Sequence, residues 1–195
     1  TIPFIISSES SSEKPLLAEK LKKGSSDNKL TCKIVLREPN EGVSDAKIGG
    51  LLGTMETDTN ADISFENTVK SALTVKGEPH TGLFCNTMES GASLTATFTN
   101  TNNGKITVEA AANGADAGGF VGHMEDGTLT IAGKSVAQVN SAYGNAGGLV
   151  GSANGGAIQI KEDENTKISF IFADSFALKA GSDKAAGGLI GEYKV

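Results

Sequence analysis

The chain has 195 residues, of which 25 are glycine, four are proline, two are cysteine and none is tryptophan. Its net charge is −6, and Arg37 is the only arginine among 17 basic residues. Two cysteines exclude a disulfide-dense miniprotein, and no apolar run reaches the roughly 20 residues of a membrane helix. Because nucleic-acid readers rely on arginine and on positive charge, we expect no nucleic-acid partner and no membrane insertion.

The N-terminal residues 1–14 are mainly polar, and the stretch 7–13 is rich in serine. We predict that 1–14 is a polar segment that precedes the folded domain, as a linker or a frayed terminus. Residues 14–23 fit either a short amphipathic helix or the degenerate first coil of a repeat. The coil is favoured because terminal repeats are normally atypical.

A short apolar motif flanked by glycine recurs through the rest of the chain. Four copies are clear, at 50–53, 119–122, 148–151 and 188–191, and two are looser, at 15–18 and 82–85. The first apolar residues of the six copies are Leu16, Leu51, Leu83, Phe120, Leu149 and Leu189. Aligned on these residues, the copies form two aliphatic columns and a third column of small residues: Ala18, Gly53, Cys85, Gly122, Gly151 and Gly191. Such columns are typical of the stacked coils of a solenoid.

Two further apolar segments follow the copies and alternate with period two, as strands do. The first set is 30–34, 63–65, 94–98, 129–131 and 158–160, and the second set is 73–75, 106–108, 136–139 and 168–172. An extra strand is predicted at 176–178. The sequence therefore predicts an all-β fold, a single parallel β-solenoid (β-helix) of about six coils over residues 15–195. Each coil has three short strands, and loops near 99–104 and 161–167 project from the stack.

Residues 147–151 read Gly-Gly-Leu-Val-Gly and precede a polar glycine turn and a short apolar strand. This pattern resembles the GLUG-type repeats of large bacterial surface proteins, including the non-catalytic repeat regions of adhesin and IgA-protease-like chains. The resemblance implies an extracellular module, secreted or at the bacterial cell surface, that acts as a stalk or an adhesive binding domain. The implied partners are other domains of the same long chain and a host protein or glycan. Because the chain stops four residues after the last copy and leaves an open strand edge, we expect the natural chain to continue.

Three glutamates, Glu56, Glu89 and Glu125, each follow a methionine in successive copies. A stack of these carboxylates would bind a cation or a basic partner. We favour glutamates splayed at an exposed corner, because stacked like charges repel each other. The segment 58–62 begins like a calcium loop but lacks the glycine and the final glutamate that an EF-hand requires, so it is interpreted as a polar turn.

The two histidines, His80 and His123, lie at different distances from the repeat motif. We therefore expect them not to stack, and we interpret each as a surface turn residue rather than as part of a metal or catalytic pair. Cys85 occupies the column of small residues, which indicates a structural thiol rather than a reactive one. Cys32 is expected to lie too far from Cys85 for a disulfide.

Alternating threonines mark one segment, at positions 95, 97, 99 and 101, but the matching segments do not repeat them. A threonine array has to recur on every coil to order water as ice does. We therefore interpret these residues as outward-facing strand formers rather than as an ice-binding surface.

No catalytic motif is recognisable, so we predict no catalytic, cofactor-binding or metal-binding residue and a non-catalytic protein. The alternative is a polysaccharide-acting β-helix enzyme, either a lyase or a hydrolase. Such an enzyme needs clustered carboxylates and aromatic side chains that stack on sugars. Here the carboxylates are scattered through predicted turns, and the sequence offers only Tyr143 and Tyr193, without tryptophan.

Overall fold

The strands form at the alternating apolar segments of the sequence, and short connections join each strand to the next. The computed structural model describes residues 2–5, 11–12, 14–22, 30–37, 45–68, 72–101, 105–161, 170–174 and 176–194. The first strands are β1 (Ile2–Ile5), β2 (Ser11–Ser12), β3 (Ala18–Leu21), β4 (Leu30–Arg37), β5 (Asp45–Ile48), β6 (Leu52–Met55), β7 (Asn60–Asn67) and β8 (Ala72–Lys76). The central strands are β9 (Thr81–Gly82), β10 (Cys85–Met88), β11 (Ser93–Asn100), β12 (Ile106–Ala110), β13 (Ala117–Gly118), β14 (Val121–Glu125), β15 (Thr128–Lys134) and β16 (Gln138–Ser141). The last strands are β17 (Ala146–Gly147), β18 (Val150–Asn154), β19 (Ala157–Ile160), β20 (Phe170–Ile171), β21 (Ala177–Lys179), β22 (Ala186–Gly187) and β23 (Ile190–Lys194).

Hydrogen bonding arranges these strands in three long sheets and one short sheet, with parallel pairing throughout. Sheet 1 has the order β3-β6-β10-β14-β18-β23, sheet 2 has β1-β4-β7-β11-β15-β19 with β20 beside β15, and sheet 3 has β2-β5-β8-β12-β16-β21. The corner sheet has β9-β13-β17-β22. The backbone groups of one turn therefore pair with those of the next.

The predicted all-β parallel solenoid is confirmed, with three main strands in a turn. Its corner sheet has four strands and no described residue is helical, so the solenoid has about four turns. The predicted number of six is too high, because the first and last copies of the motif contribute partial turns. The two-residue strands of the corner sheet were not expected from the sequence.

The N-terminal part of the chain already belongs to the stack. β3 pairs with β6, which confirms a first coil over residues 14–23 rather than a helix. β1 and β2 pair with β4 and β5, so the solenoid extends into the segment 1–14 that the sequence predicts to be separate. Of that segment, residues 1, 6–10 and 13 lie outside the described residues. Within the described part of the chain, no helix is long and apolar enough to cross a membrane.

Strand alternation places one side of each central strand in a single core. Every second residue of β7 and of the first part of β11 is buried. Phe65 and Phe98 face each other across these strands, with ring centroids 5.9 Å apart. In β11, Thr95 and Thr97 occupy the outward positions that alternate with the buried residues, as the sequence predicts. The buried side chains of the three long sheets form one continuous hydrophobic cluster.

Two of the six motif copies lie one residue away from their place in the sequence-based alignment. Cys85 pairs with Leu52 on one side and with Val121 on the other, so it belongs to an aliphatic column and not to the column of small residues. Ala18 also pairs with Leu52. Asn86 therefore takes the position that glycine holds in other turns. These are the two looser copies, in which the flanking glycines that fixed the alignment are replaced.

The glycine directly before a clear copy of the repeat motif is required sterically by the tight bend into sheet 1. A Cβ atom at Gly118 would lie 1.8 Å from the carbonyl oxygen of Val121, and one at Gly147 would lie 1.7 Å from that of Val150. The next position is also blocked wherever another turn follows: a Cβ atom at Gly119 would lie 2.1 Å from the carbonyl oxygen of Gly148, and one at Gly148 would lie 1.9 Å from that of Gly188. At Gly188, on which no described turn stacks, a Cβ atom would meet no atom within 4 Å.

An insertion alters one turn near the C-terminal end. The sequence predicts 168–172 as the third strand of this turn, which is wrong, because β20 pairs with β15 in sheet 2. The third strand is β21, the segment predicted as an extra strand, which pairs with β16 in sheet 3. Of the projecting loops predicted near 99–104 and 161–167, residues 102–104 and 162–167 lie outside the described residues.

Candidate functional site

The outward face of sheet 1 carries a polar column with one residue on each strand. Its members are Lys20, Thr54, Thr87, His123, Ser152 and Glu192. The next residues on two of these strands, Met88 and Met124, are buried in the core, so the polar column faces away from it. Successive members lie one strand spacing apart, about 4.8 Å.

A second set of polar residues lies where the chain enters the corner sheet. His80, Asp116 and Asn145 immediately precede β9, β13 and β17, and these three strands are paired in register. The three residues therefore occupy the same position in successive turns, and we call them the corner row. Because the chain bends at the corner, the corner row lies beside the polar column.

The imidazole rings of His80 and His123 stack where the corner row meets the polar column. Their centroids are 4.9 Å apart and their planes differ by 25°. The side chains are only 22% and 16% exposed. The expectation that the two histidines do not stack is therefore wrong, and His123 lies in strand β14 rather than in a turn. His80 does lie in a turn, directly before β9, but it is only partly exposed. The expectation assumed that residues meet only at equal offsets, whereas the corner brings two different positions of the repeat side by side.

Asp116 lies at the centre of this cluster and is 7% exposed. Its Oδ2 accepts a hydrogen bond of 2.5 Å from the Ser152 hydroxyl. Its Oδ1 accepts bonds of 2.7 and 3.0 Å from the backbone and side-chain nitrogens of Asn145. The backbone N–H of Asp116 donates to His80 Nδ1 at 3.0 Å, and that nitrogen lies 3.5 Å from Asp116 Oδ2. A buried carboxylate held by this many donors has a fixed orientation.

His123 is held from both ring nitrogens. Its Nδ1 lies 2.7 Å from Ser152 Oγ, and its Nε2 lies 3.1 Å from Glu125 Oε1. Hydrogen bonds from His123 and from Asn154 lower the pKa of Glu125, against the opposing effect of its burial. An ionised Glu125 favours a hydrogen on His123 Nε2. Because the Ser152 hydroxyl has a single hydrogen, Ser152 then donates either to His123 Nδ1 or to Asp116 Oδ2, but not to both.

His80 has the electrostatic character of a neutral imidazole. Burial lowers the pKa of His80, the nearby His123 lowers it further, and only the charge of Asp116 acts in the opposite direction. Its Nδ1 accepts the Asp116 amide hydrogen bond, so this nitrogen carries a lone pair. A neutral imidazole of this kind is either a hydrogen-bond acceptor or a metal ligand.

The three titratable side chains together offer a set of potential metal ligands. One nitrogen of His80, one nitrogen of His123 and one oxygen of Asp116 all lie within 4.8 Å of one another. The sequence-based prediction of no metal-binding residue rested on the two histidines lying apart, and this geometry removes that argument. We call the three residues the His-Asp-His cluster.

A cleft of about 410 Å³ opens on the same face as the cluster. It is lined by Lys14, Pro15, Glu19, Gly53, Thr54, Glu78 and Asn86. Thr54 belongs to the polar column, two strands from His123, and Thr87 lies between them. The Thr87 hydroxyl oxygen is buried and makes no hydrogen bond to the described residues. Thr87 does not line the cleft, so this oxygen is a buried polar atom of the strand rather than part of the cleft surface.

The glutamates that follow the methionines have separate partners. The carboxylate of Glu89 accepts hydrogen bonds from the backbone nitrogen and the hydroxyl of Thr57, at 3.0 and 3.2 Å. Glu125 instead binds His123 and Asn154. This agrees with splayed glutamates rather than a shared carboxylate ladder. The segment 58–62 forms a turn and the start of β7, as the sequence predicts.

The two thiols are free, and their surroundings suit structural roles. Cys85 is fully buried, and burial raises the pKa of its thiol to about 12. Burial is also the main cause that raises the pKa of Cys32, with the charge of Asp62 adding to it. The prediction of a structural Cys85 is supported, although the residue lies in an aliphatic column.

No family model, no curated protein and no solved structure matches this chain. The resemblance to GLUG-type repeats therefore stays a prediction that depends on the short motif. Any function proposed for the chain depends on its solenoid fold and on the polar face of sheet 1.

Proposed function

We propose that this chain is a non-catalytic, extracellular repeat module of a bacterial surface protein, acting as a stalk, an adhesive binding domain or both. Its partners are then other domains of the same long chain and a host protein or glycan. The motif at 147–151 supports this proposal at the level of sequence. The observation that carries it is the unbroken parallel pairing of six strands in sheet 1.

Unbroken pairing suits a stalk because each turn is tied to the next by main-chain hydrogen bonds and by the shared core. Sheet 1 alone continues from β3 to β23, and the core cluster runs with it. Loss of one turn would expose the backbone groups and the apolar residues of its neighbours, so the turns resist separation as a unit. Such a scaffold holds whatever lies on its outer faces at fixed spacing.

The polar column and the adjacent cleft support an adhesive role on the same scaffold. The cleft presents one lysine, two glutamates and the hydroxyl of Thr54. Hydroxyls, amides and charged groups on a rigid surface suit a polar ligand such as a glycan or a polar protein segment. The predicted loops near 99–104 and 161–167 are further candidates for recognition.

A binding screen against glycans and immobilised host surface proteins tests the adhesive role. Thr54→Arg places a long charged side chain at the cleft, whereas Thr97→Arg changes an outward position of sheet 2 and is the matched control. We expect a ligand that binds the wild type and Thr97→Arg and is lost in Thr54→Arg. Equal binding by both variants would contradict the assignment of the cleft as the binding face. If the wild type binds nothing in the screen, the adhesive role is contradicted and the stalk is the role that stays proposed.

The alternative function, a polysaccharide lyase or hydrolase, has one observation in its favour. Asn145 Nδ2 donates to both Asp116 and Glu192, at 3.0 and 3.1 Å, so it brings two carboxylates together. However, Asp116 is buried and its oxygens are engaged. Tyr193 is half-exposed but belongs to the opposite side of β23 from Glu192, in register with buried Ala153. Turnover of any substrate in a panel of acidic and neutral polysaccharides would contradict the non-catalytic proposal.

A further inference from the structure

We propose that His80, Asp116 and His123 form a binding site for a divalent transition-metal ion of the zinc class. The proposal depends on the geometry of the His-Asp-His cluster and is independent of the adhesive role. Its ligands come from three separate segments of the solenoid: the turn before β9, the turn before β13, and β14. A bound ion would therefore link successive turns at the corner.

The spacing of the donor atoms fits a metal ion after small side-chain rotations. Two ligands of a tetrahedral zinc ion, each about 2.0–2.1 Å from the metal, lie about 3.3 Å apart. His80 Nδ1 and Asp116 Oδ2 are already 3.5 Å apart. The whole donor set lies within 4.8 Å, so the third ligand, His123, has to approach by at most about 1.5 Å. The ring of His123 is 16% exposed, and such a rotation exchanges its contact with Ser152 for a bond to the ion.

The chemistry of the donors selects the class of ion. Two imidazole nitrogens and one carboxylate oxygen suit borderline ions such as Zn²⁺, Co²⁺ and Ni²⁺. Hard ions such as Ca²⁺ and Mg²⁺ prefer sets composed of oxygen ligands, which this cluster does not supply. Three protein ligands leave a fourth position for water or for the nearby Ser152 hydroxyl, which already contacts Asp116 and His123.

The surrounding hydrogen bonds orient the proposed ligands as metal sites require. Glu125 lies against His123 Nε2, and a hydrogen on that nitrogen would leave Nδ1, which contacts Ser152 Oγ, as the ligand atom. Asn145 holds Asp116 Oδ1 through two hydrogen bonds and leaves Oδ2 directed at the histidines. A carboxylate behind a ligating imidazole and donors behind a ligating carboxylate are the usual supports of a bound metal ion.

Metal binding would cost His80 one hydrogen bond. Its Nδ1 accepts the backbone N–H of Asp116 at 3.0 Å, and a metal ion on that nitrogen would displace this bond. The Asp116 amide would then need another acceptor, which a water on the ion could supply.

The first experiment uses the wild-type chain without an affinity tag. Because the chain has only two histidines, its imidazole NMR signals report on the cluster alone. We expect added ZnCl₂ to shift the signals of both histidines together, to saturate at one ion per chain, and to raise Tm by mass action. CaCl₂ and MgCl₂ at equal concentration should change neither signal. Histidine signals that stay unchanged, or that shift independently without saturation, would overturn the proposal.

Variants then identify the ligands by calorimetry with ZnCl₂. We expect His80→Gln and His123→Gln each to weaken Zn²⁺ binding more than about tenfold, and Glu125→Gln to weaken it about 10- to 100-fold through the orientation of His123. Cys32→Ser, which removes the more accessible thiol, is the control and should bind as the wild type does. Unchanged affinity in both histidine variants, or loss of binding in Cys32→Ser, would place the ion elsewhere and contradict the assignment. The wild-type NMR titration stays decisive if a variant fails to fold.

Discussion

Phe84 and Phe120 stack in the core with their ring centroids 5.0 Å apart and their planes only 12° from parallel. The two phenylalanines occupy equivalent positions in successive turns, because each is followed by one of the paired residues Cys85 and Val121. This stack fixes the relation between the third and fourth motif copies. It also determines which polar residues meet at the corner.

The ring stack should contribute strongly to stability. Phe84 is fully buried, and Phe84→Ala removes its contacts with Phe120 and leaves a cavity. We expect the free energy of unfolding to fall by about 3–5 kcal/mol. Urea denaturation followed by circular dichroism measures this change. Thr97→Ala, at an outward position of β11, is the control and should change stability by less than about 0.5 kcal/mol.

The corner glycines give a prediction whose control lies in the next copy of the motif. Gly147→Ala places a Cβ atom 1.7 Å from the Val150 carbonyl oxygen, so the backbone has to move. We expect a loss of about 3 kcal/mol or failure to fold. Gly188→Ala introduces a Cβ atom into open space and should leave Tm nearly unchanged. If both variants melt at the temperature of the wild type, the corner geometry described above is incorrect.

Asn86 is expected to stabilise the corner through its side chain. Its Oδ1 accepts a hydrogen bond from the Gly82 backbone, and its Nδ2 donates to the Gly49 carbonyl oxygen, both at 3.2 Å. Asn86→Ala leaves these two buried groups without partners, which should cost about 1–3 kcal/mol. Thermal and urea unfolding measure the effect. An unchanged midpoint would indicate that Asn86 does not bridge the two turns.

The two thiols should differ in reactivity as their burial differs. With a pKa of about 12, Cys85 is thiolate in only about one molecule in ten thousand at about pH 8. We expect a thiol reagent to modify Cys32 slowly and Cys85 only after denaturation. Because the folded pKa of Cys85 lies above its ordinary value of 9.0, its contribution to stability is complete below about pH 9 and is lost as the pH rises toward 12. Rapid modification of Cys85 in the native chain would contradict its position in the core.

The architecture was predictable because glycine corners and alternating strands leave a strong local pattern. The alignment of the two looser copies was not predictable, because the glycines that flank the motif elsewhere are replaced in the copies that contain Ala18 and Cys85. In the third copy Gly82 pairs with Gly118 and Leu83 replaces the second glycine, so Asn86 takes the position of Gly122. The insertion near 161–169 misled the prediction in a similar way, because an apolar segment that extends sheet 2 looks the same in sequence as one that belongs to sheet 3.

The His-Asp-His cluster was missed because the third copy was aligned on Leu83 instead of Phe84. Counted from Phe84 and Phe120, the residues four positions earlier are His80 and Asp116, and the residue three positions after Phe120 is His123. Both positions are polar in successive copies, which is a signal that the correct alignment makes visible. That the two positions face each other depends on the bend at the corner, which no local pattern in the sequence specifies.

Disulfide formation between outward residues tests the stacking register most directly, in a Cys32→Ser background. Thr54 and Thr87 are register partners, and the strand spacing of about 4.8 Å lies within the Cα range of a disulfide. We expect Thr54→Cys with Thr87→Cys to form an intramolecular disulfide on mild oxidation, and Lys20→Cys with Thr87→Cys, two strands apart, to stay reduced. A disulfide in Thr54→Cys with Asn86→Cys, and none with Thr87→Cys, would contradict the register and the meeting of the two histidines that follows from it.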